Sequence, residues 1–452
     1  MKISTFKKVL ACTALASAVV LTGCQQEELM ENQFTTAVAT ETTVHGQAIE
    51  GQYIVVFKDG SVGVSTDNTA NARIANQFAS ASVRQAVLAK AGIGNEEIRE
   101  TFQGSVKGFA ARLSAEQLKA LRNSPEVAYI EQDRIITLGK PVKDTDTTDG
   151  ESVKGNGGTT KGGGKPTKSD GGTTTTDPAP TTEPTAPADN TYTKITPLAG
   201  ELVPWNIAQV GYGDGTGKTV WVVDSGVDTD HPDLTVDLAR SKSFVSGVTS
   251  VEDGYGHGTT VTGIIAAKNN GSGMIGVAAG ATVVALRVFD DAGAGTLSSA
   301  ISAVIHIDTY GKPGDVVNLS IGSGISSTMD NAVKSAAAKG ILFAIAAGNS
   351  GVDCINTTPA RVDAPGVYTV SAMDSYARLW DRSNYGLPVD CSAPGVNVTT
   401  TTKGGSIGGG AYGTSFAAPH VAGVLLLRGK VYAKGTITGD KDSQPDPIAS
   451  VE

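Results

Sequence analysis

From Pro204 onward the chain repeats one pattern, a nearly continuous apolar run followed by a stretch with helical spacing. The runs are TVWVVD, TVVALRV, DVVNLSI, GILFAIAAG and VYTVSAM; the intervening stretches include TLSSAISAVIHIDTYG and STMDNAVKSAAAKG. A strand that is apolar on both faces must be covered on both faces, and helical connections make such strands run parallel. The expected fold class is therefore α/β, a parallel sheet with helices on both faces. In open sheets of this kind functional groups collect at the carboxyl ends of the strands.

A smaller unit precedes this one. Residues 51–138 read as strand, helix, strand, strand, helix, strand, with one strand poorly defined. YIVVF is a β-rich run closed by the turn KDG. NARIANQFASASVRQAVLAKAG has helical spacing and ends on glycine. VKGFAARL alternates like a strand, and SAEQLKALRNSP opens with Ser114 and Gln117 spaced as a capping box and stops before Pro125. EVAYIEQD closes a small α+β unit. From 139 to 203 the chain changes character: GNGGTTKGGGKPTKSDGGTTTTDPAPTTEPTAPADN is Gly, Thr, Pro and Lys with almost no apolar side chain, the composition of a flexible and protease-accessible linker. The remaining residues, 204–452, form the α/β unit.

The N-terminus carries Lys2, Lys7 and Lys8 followed by VLACTALASAVVL, an apolar core too short to span a bilayer. It ends in LTGC, and residues 1–24 resemble a bacterial lipoprotein signal in which Cys24 is lipidated. An ordinary secretory signal that contains a cysteine is the alternative. Residues 25–50 then read as a flexible tether, and the expected location is the bacterial cell envelope, exported and held to a membrane by lipid. Acidic residues outnumber basic ones, 45 to 36, for a net charge of −9. Nucleic-acid binders carry a basic face, so that partner class is excluded. Cys354 and Cys391 form either a disulfide or two buried free thiols, and both readings stand in an exported chain.

Two phosphate-type motifs fail on context. YGDGTGKT needs a glycine where Tyr212 stands and precedes a strand instead of following one; GSGMIG, 271–276, has no strand running into it. Four polar residues at strand ends and helix starts have more to offer. Asp224 follows TVWVV, His257 stands between Gly256 and Gly258 at a helix start, Asn349 follows ILFAIAAG, and Ser415 opens the last apolar helix. Each alone reads as a turn or cap residue. Together they supply acyl-transfer chemistry: a serine hydroxyl needs a neighbouring base, a carboxylate fixes that base's tautomer, and an amide donates to the oxyanion.

The motifs DSGVDTDHPDL, GHGTTVTG, NLSIGS, AAGNSG and GTSFAAPHVAG, in that order, resemble the subtilisin-like serine protease family over most of Pro204 to Arg428. The Asp…His…Ser order is that of subtilisin. The resemblance implies a subtilisin-like fold and a serine endopeptidase of broad specificity, with Asp224, His257 and Ser415 as the triad and Asn349 in the oxyanion hole. It also implies that Ser320, Ile321 and Gly322, with Ala346, Ala347 and Gly348, line the pocket for the residue before the cut bond. YIVVFKDG, VKGFAARLS and PEVAYIEQD resemble an inhibitor-type propeptide, so the chain's partners are polypeptide substrates and its own propeptide, which keeps it a zymogen.

No cofactor is expected for catalysis. Asp390 in VDCSAPG, with carbonyls around Pro365, stands where relatives hold a structural calcium ion, but one carboxylate falls short of the six or more oxygens such a cation takes. Two departures from the family pattern carry structural expectations. Thr260 replaces a second histidine and predicts a local packing change. The tail after GVLLLRGK is short and polar where relatives continue in helix, which predicts reduced stability. A surface-anchored binding protein that has lost activity is the competing reading. An esterase is disfavoured because the serine lies in GTSFA and not in a G-x-S-x-G elbow.

Overall fold

The computed structural model describes residues 44–58, 70–139 and 192–452. Cys24, the tether up to 43 and most of the expected linker lie outside these residues.

The first unit comprises β1 (Ala48–Phe57), α1 (Ala70–Ala91), β2 (Ile98–Gln103), β3 (Lys107–Arg112), α2 (Ala115–Arg122) and β4 (Val127–Thr137). The first strand starts at Ala48, a few residues inside the stretch expected to be tether. Its strands pair antiparallel in the order β4-β1-β3-β2. Helix α2 begins as its sequence predicts, with Gln117 N–H donating to Ser114 Oγ at 3.2 Å and Ser114 N–H donating to Gln117 Oε1 at 2.8 Å.

The run YIVVF is apolar throughout because both faces of this small sheet are covered. Val55 and Phe57 pack with Val87, Leu88 and Leu121 under the unit's own helices. Ile54 and Val56 face the other way and join a core supplied by the second unit. The period of two along the strand assigns alternate residues to different cores.

The second unit adds, in chain order, α3 (Trp205–Val210), β5 (Gly213–Asp214), β6 (Thr219–Asp224), β7 (Lys242–Ser243), α4 (His257–Ala266), β8 (Ala278–Ala279), β9 (Thr282–Arg287) and β10 (Ala294–Thr296). It continues with α5 (Leu297–Tyr310), β11 (Val316–Leu319), α6 (Ser327–Ala337), β12 (Leu342–Ala346), β13 (Val367–Met373), β14 (Cys391–Pro394), β15 (Val398–Thr402), β16 (Ser406–Ala411), α7 (Thr414–Arg428), β17 (Tyr432–Thr436) and β18 (Pro447–Ser450). The main sheet has the order β17-β18-β14-β13-β12-β11-β6-β9-β7 and is parallel from β18 to β7. Val220, Val222, Val316 and Ala344 pack with residues of α4 and α7 on one face. Trp221, Val223, Val317 and Phe343 pack with residues of α5 and α6 on the other. Burial on both faces is what a near-continuous apolar strand requires.

The end of the linker differs from the expectation. The second unit is already packed at Tyr192 and Ile195, which lie against its core, and Asp214 N–H donates to Thr193 O at 2.9 Å. Isolated apolar residues inside a Thr- and Pro-rich tract carry no periodicity, so composition alone places the end of the linker too late, at 203. The polar tail is also built into the fold. β18 extends the main sheet beside β14, β17 pairs with it antiparallel, and Val451 is buried in the core.

The first unit docks on α5 and α6 with carboxylates. Asp133 accepts from the N–H and the hydroxyl of Ser298, at 3.1 and 2.6 Å, in the first turn of α5. Glu131 accepts from Ser326 Oγ at 2.7 Å and Thr328 N–H at 3.1 Å where α6 begins. Negative charge at helix N-termini satisfies orphan N–H groups and the helix dipole. The end of β4 then pairs antiparallel with β10, with Ile136 opposite Gly295, and Leu138 N–H donates to Gly293 O at 2.9 Å.

Candidate active site

Asp224 ends β6, and His257 opens α4 after Gly256, whose φ of 105° favours glycine. Both carboxylate oxygens of Asp224 lie 2.9 Å from His257 Nδ1. Asp224 is fully buried and His257 nearly so. An acceptor pair on Nδ1 keeps the proton there and leaves Nε2 as the basic nitrogen. Burial alone would lower the imidazole pKa, but the charge and hydrogen bond of Asp224, with Asp253 adding, leave it above its ordinary value. The ring packs on Phe416, centroid to centroid 5.2 Å.

Asp253, which no sequence motif singles out, ties this corner together. Its Oδ1 accepts from Ser225 Oγ at 2.8 Å and Gly256 N–H at 2.7 Å; its Oδ2 accepts from Thr259 N–H and Oγ1 at 2.8 and 2.7 Å. Ser225 Oγ in turn accepts from Gly258 N–H at 3.0 Å. Gly258 must be glycine, because a Cβ there would stand 1.9 Å from Gly226 O. Thr260, where the family pattern has a second histidine, donates its hydroxyl to Gly256 O at 2.9 Å within the same turn.

Asn349 follows β12, and its Oδ1 accepts from Thr414 N–H at 2.9 Å and Thr414 Oγ1 at 2.8 Å. That pair fixes which end of the amide is oxygen and leaves Nδ2, among the described residues, without an acceptor. Asn384, also outside any motif, holds the loop that carries Asn349: its Oδ1 accepts from Ser350 and Val352 N–H, and its Nδ2 donates to Ala347 O. Gly348 has a φ of 110°, and a Cβ there would meet Asn384 Nδ2 at 2.4 Å. A buried asparagine satisfying three backbone groups across a loop has no signature in sequence.

Ser415 is not the helix cap. Gly413 is the N-cap, with φ 140° and no side-chain bond, so Ser415 is the second helical residue. Its hydroxyl donates to Ser320 O at 3.4 Å, and Ser320 Oγ donates back to Ser415 O at 2.9 Å. Among the described residues no hydrogen bond joins Ser415 Oγ to His257. Such contacts are often loose without substrate.

The six residues expected to line a pocket divide. Ser320 touches Ser415. Ile321 is buried in the core that also holds Ile136 and Leu138 of the first unit. Ala346 and Ala347 are buried, and Gly348 donates its N–H to Thr414 Oγ1 at 3.0 Å, so these three brace the Asn349 loop. A Cβ at Gly322 would stand 3.6 Å from the Thr357 methyl group, an ordinary contact. The first unit reaches the same region. Gly293, which accepts Leu138 N–H, lies over the ring of Tyr255, two residues before His257.

Asp390 Oδ2 accepts from Thr369 N–H at 2.7 Å, and desolvation, with Asp363 nearby, pushes its carboxyl up to about 6. Among the described residues no group of three or more His, Cys, Asp or Glu side chains is arranged to hold a metal ion. A carboxylate already engaged by a backbone N–H does not supply the donor set a hard cation takes. Cys354 and Cys391 are both buried free thiols, which resolves that alternative against the disulfide.

A buried Asp–His pair, a serine in the first turn of α7 and an oriented amide define a hydrolase-type constellation on a doubly covered parallel sheet. Comparison with known proteins gives the family. The profile described as Subtilase family matches residues 215–438, and that of Peptidase inhibitor I9 matches residues 52–139. Subtilisin Savinase of Lederbergia lenta is 40% identical over 233 residues, 50% of this chain and 83% of the relative. Alkaline serine exoprotease A of Vibrio alginolyticus is 33% identical over 380 residues, 84% of this chain and 60% of the relative. A crystal structure of a cold adapted subtilisin-like serine proteinase is 33% identical, with a TM-score of 0.46, covering 54% of this chain and 90% of that one. The chain belongs to the subtilase family, with an inhibitor-type propeptide domain ahead of the subtilase domain. It spans 60% of the exoprotease's length.

Proposed function

We propose that this chain is a serine endopeptidase made as a zymogen. The observation that carries the reading is the pair of 2.9 Å contacts from Asp224 to His257 Nδ1, which prepares Nε2 as a base beside the Ser415 helix. Ser415 Oγ turns from Ser320 O toward Nε2, gives up its proton and attacks the substrate carbonyl carbon. Asn349 Nδ2 donates to the oxyanion, together with the Ser415 N–H, which has no acceptor within its helix at that position. The imidazolium then protonates the leaving amine, and water hydrolyses the acyl-enzyme by the same steps reversed.

Substrates are polypeptides, and the absence of a side chain at Gly322, where a Cβ would make only an ordinary contact, supports broad specificity. The first unit acts as an intramolecular inhibitor, a role supported by β4 pairing with β10 and by Leu138 N–H donating to the O of Gly293, where a Cβ would stand 2.7 Å from the Tyr255 ring. Export with a lipid anchor at Cys24 is supported by the order of the charged start, apolar core and LTGC. Among the described residues no helix is long and apolar enough to cross a membrane.

The test compares the full chain with its Ser415→Ala variant on a denaturing gel after exposure to a fluorescent serine-reactive phosphonate. Labelling and shortening of the first alone support the reading. Two folded, unlabelled, full-length chains would leave a binding protein on the same fold.

A further inference from the structure

Asn318 lies in the middle of β11, fully buried and flanked in the sheet by Val222 and Ala344. By strand alternation it shares the face of Val316, whose neighbours are the apolar residues beneath α7. A polar side chain in such a layer is costly unless its groups are satisfied, and here one is not: Asn318 Oδ1 has no partner. Its Nδ2 donates to Ser320 Oγ at 2.8 Å.

The direction of that bond follows from elementary bookkeeping. Ser320 Oγ also contacts the Ser415 carbonyl at 2.9 Å, and a carbonyl can only accept. The single Ser320 proton therefore goes to Ser415 O, and Asn318 must present its NH₂ end. A buried amide keeps its oxygen orphaned so that its nitrogen can set the direction of this chain. A valine in the same place would fill the layer without that cost.

We propose that Asn318 is a positioning residue, which orients the Ser320 hydroxyl so that the backbone of Ser415 is held at one place against the end of β11. The proposal rests on the reading of Ser415 as nucleophile. Asn318 touches neither substrate nor reacting atoms; it acts through Ser320. Together with the Asn349–Thr414 bonds, this ties the first turn of α7 to the carboxyl ends of two adjacent strands, β11 and β12. Displacements of about 1 Å at a reacting group are enough to cost orders of magnitude in rate.

The experiment expresses the full chain, cuts the linker in trans with an added protease so that the first unit is released, and measures kcat and KM on a chromogenic peptide anilide, with the melting temperature of each variant. Asn318→Val is expected to lower kcat roughly tenfold or more, to leave KM within about twofold, and not to lower the melting temperature. A merely structural asparagine would give the opposite, kcat and melting temperature falling together. Ser320→Ala should reproduce the kcat loss, and the double variant should lose no more than either single one, because both act along one chain. An unchanged kcat in Asn318→Val, or losses that multiply in the double variant, would overturn the proposal. If Asn318→Val does not fold, Ser320→Ala decides alone: a lower kcat at unchanged melting temperature supports it, and an unchanged kcat overturns it. A wild type that stays inert after the first unit is released would overturn the reading of the site and this proposal with it, whereas an active wild type with an equally active Asn318→Val overturns the proposal alone.

Discussion

Thr414 binds Asn349 twice, by its backbone N–H at 2.9 Å and by its hydroxyl at 2.8 Å, both on Oδ1. The residue before Ser415 thus decides which end of the asparagine amide faces the site. Asn349→Leu, which keeps the volume and removes the donor, is expected to lower kcat by roughly 10²–10³-fold, the range for loss of one oxyanion donor in a subtilisin. KM should change little. Thr414→Val should give a smaller loss in the same direction, since one of the two bonds that orient the amide remains. Steady-state kinetics on a peptide anilide separate these outcomes.

The pH profile follows from His257. Its pKa lies above the ordinary imidazole value because Asp224 favours the charged form more than burial disfavours it. The base must be neutral to act, so the acid limb of kcat/KM is expected to fall above about 6.5, and activity to rise from neutral into alkaline pH. Asp224→Asn should move that limb downward and cut the rate. A limb that stays put on substitution would mean that Asp224 does not act on this histidine.

If the first unit is cut away as proposed, its retention should also depend on pH, through Glu100. Its carboxylate accepts from Ser302 Oγ at 2.8 Å and Ser299 Oγ at 3.4 Å on α5, with Lys242 of β7 attracting and Asp133 of β4 repelling. Desolvation raises its pKa from 4.5 to about 7. The docked state therefore prefers the protonated acid. Binding is strongest below the free value, weakens by roughly tenfold per pH unit between the two values, and is flat above the higher one. Gel filtration of the processed protein across this range should show release as pH rises. Glu100→Gln should flatten the dependence.

Gly258→Ala places a methyl 1.9 Å from Gly226 O, between the turn after Asp224 and the first turn of α4. The backbone must move apart there, at a cost of about 1–3 kcal/mol. The expected result is a folded chain with a lowered melting temperature and a disproportionate loss of kcat. Equal activity in this variant would show that the spacing of β6 and α4 does not control the Asp224–His257 contact.

Cys354 and Cys391 are free and buried, and burial pushes the Cys354 thiol up to about 12. A thiol that does not ionise does not react. Peptides containing either residue should be unmodified after iodoacetamide treatment of the native chain and fully modified after unfolding. Recovery of a linked pair would contradict the structure.

Much of the architecture could be read from the chain. Uninterrupted apolar runs such as TVWVVD imposed a sheet buried on both faces, and the serine-capped SAEQLKALR and the glycine-flanked His257 marked helix starts, because these signals are local and depend only on neighbouring residues. The order of Asp224, His257, Asn349 and Ser415 was legible for the same reason: each lies in a short stretch with its own strand or helix. Contacts between distant segments were not legible. Tyr192 and Ile195 joining the core, the tail entering the sheet through β18, and the two faces of YIVVF serving different cores all depend on what lies opposite in space. The same holds for Asp253, Asn384 and Asn318, whose partners are backbone groups or hydroxyls with no residue identity to announce them. Sequence determined which groups stand at the strand ends; only the packing of α4 and α7 on the sheet decided which of their atoms meet, since hydrogen-bond direction is a property of three-dimensional geometry.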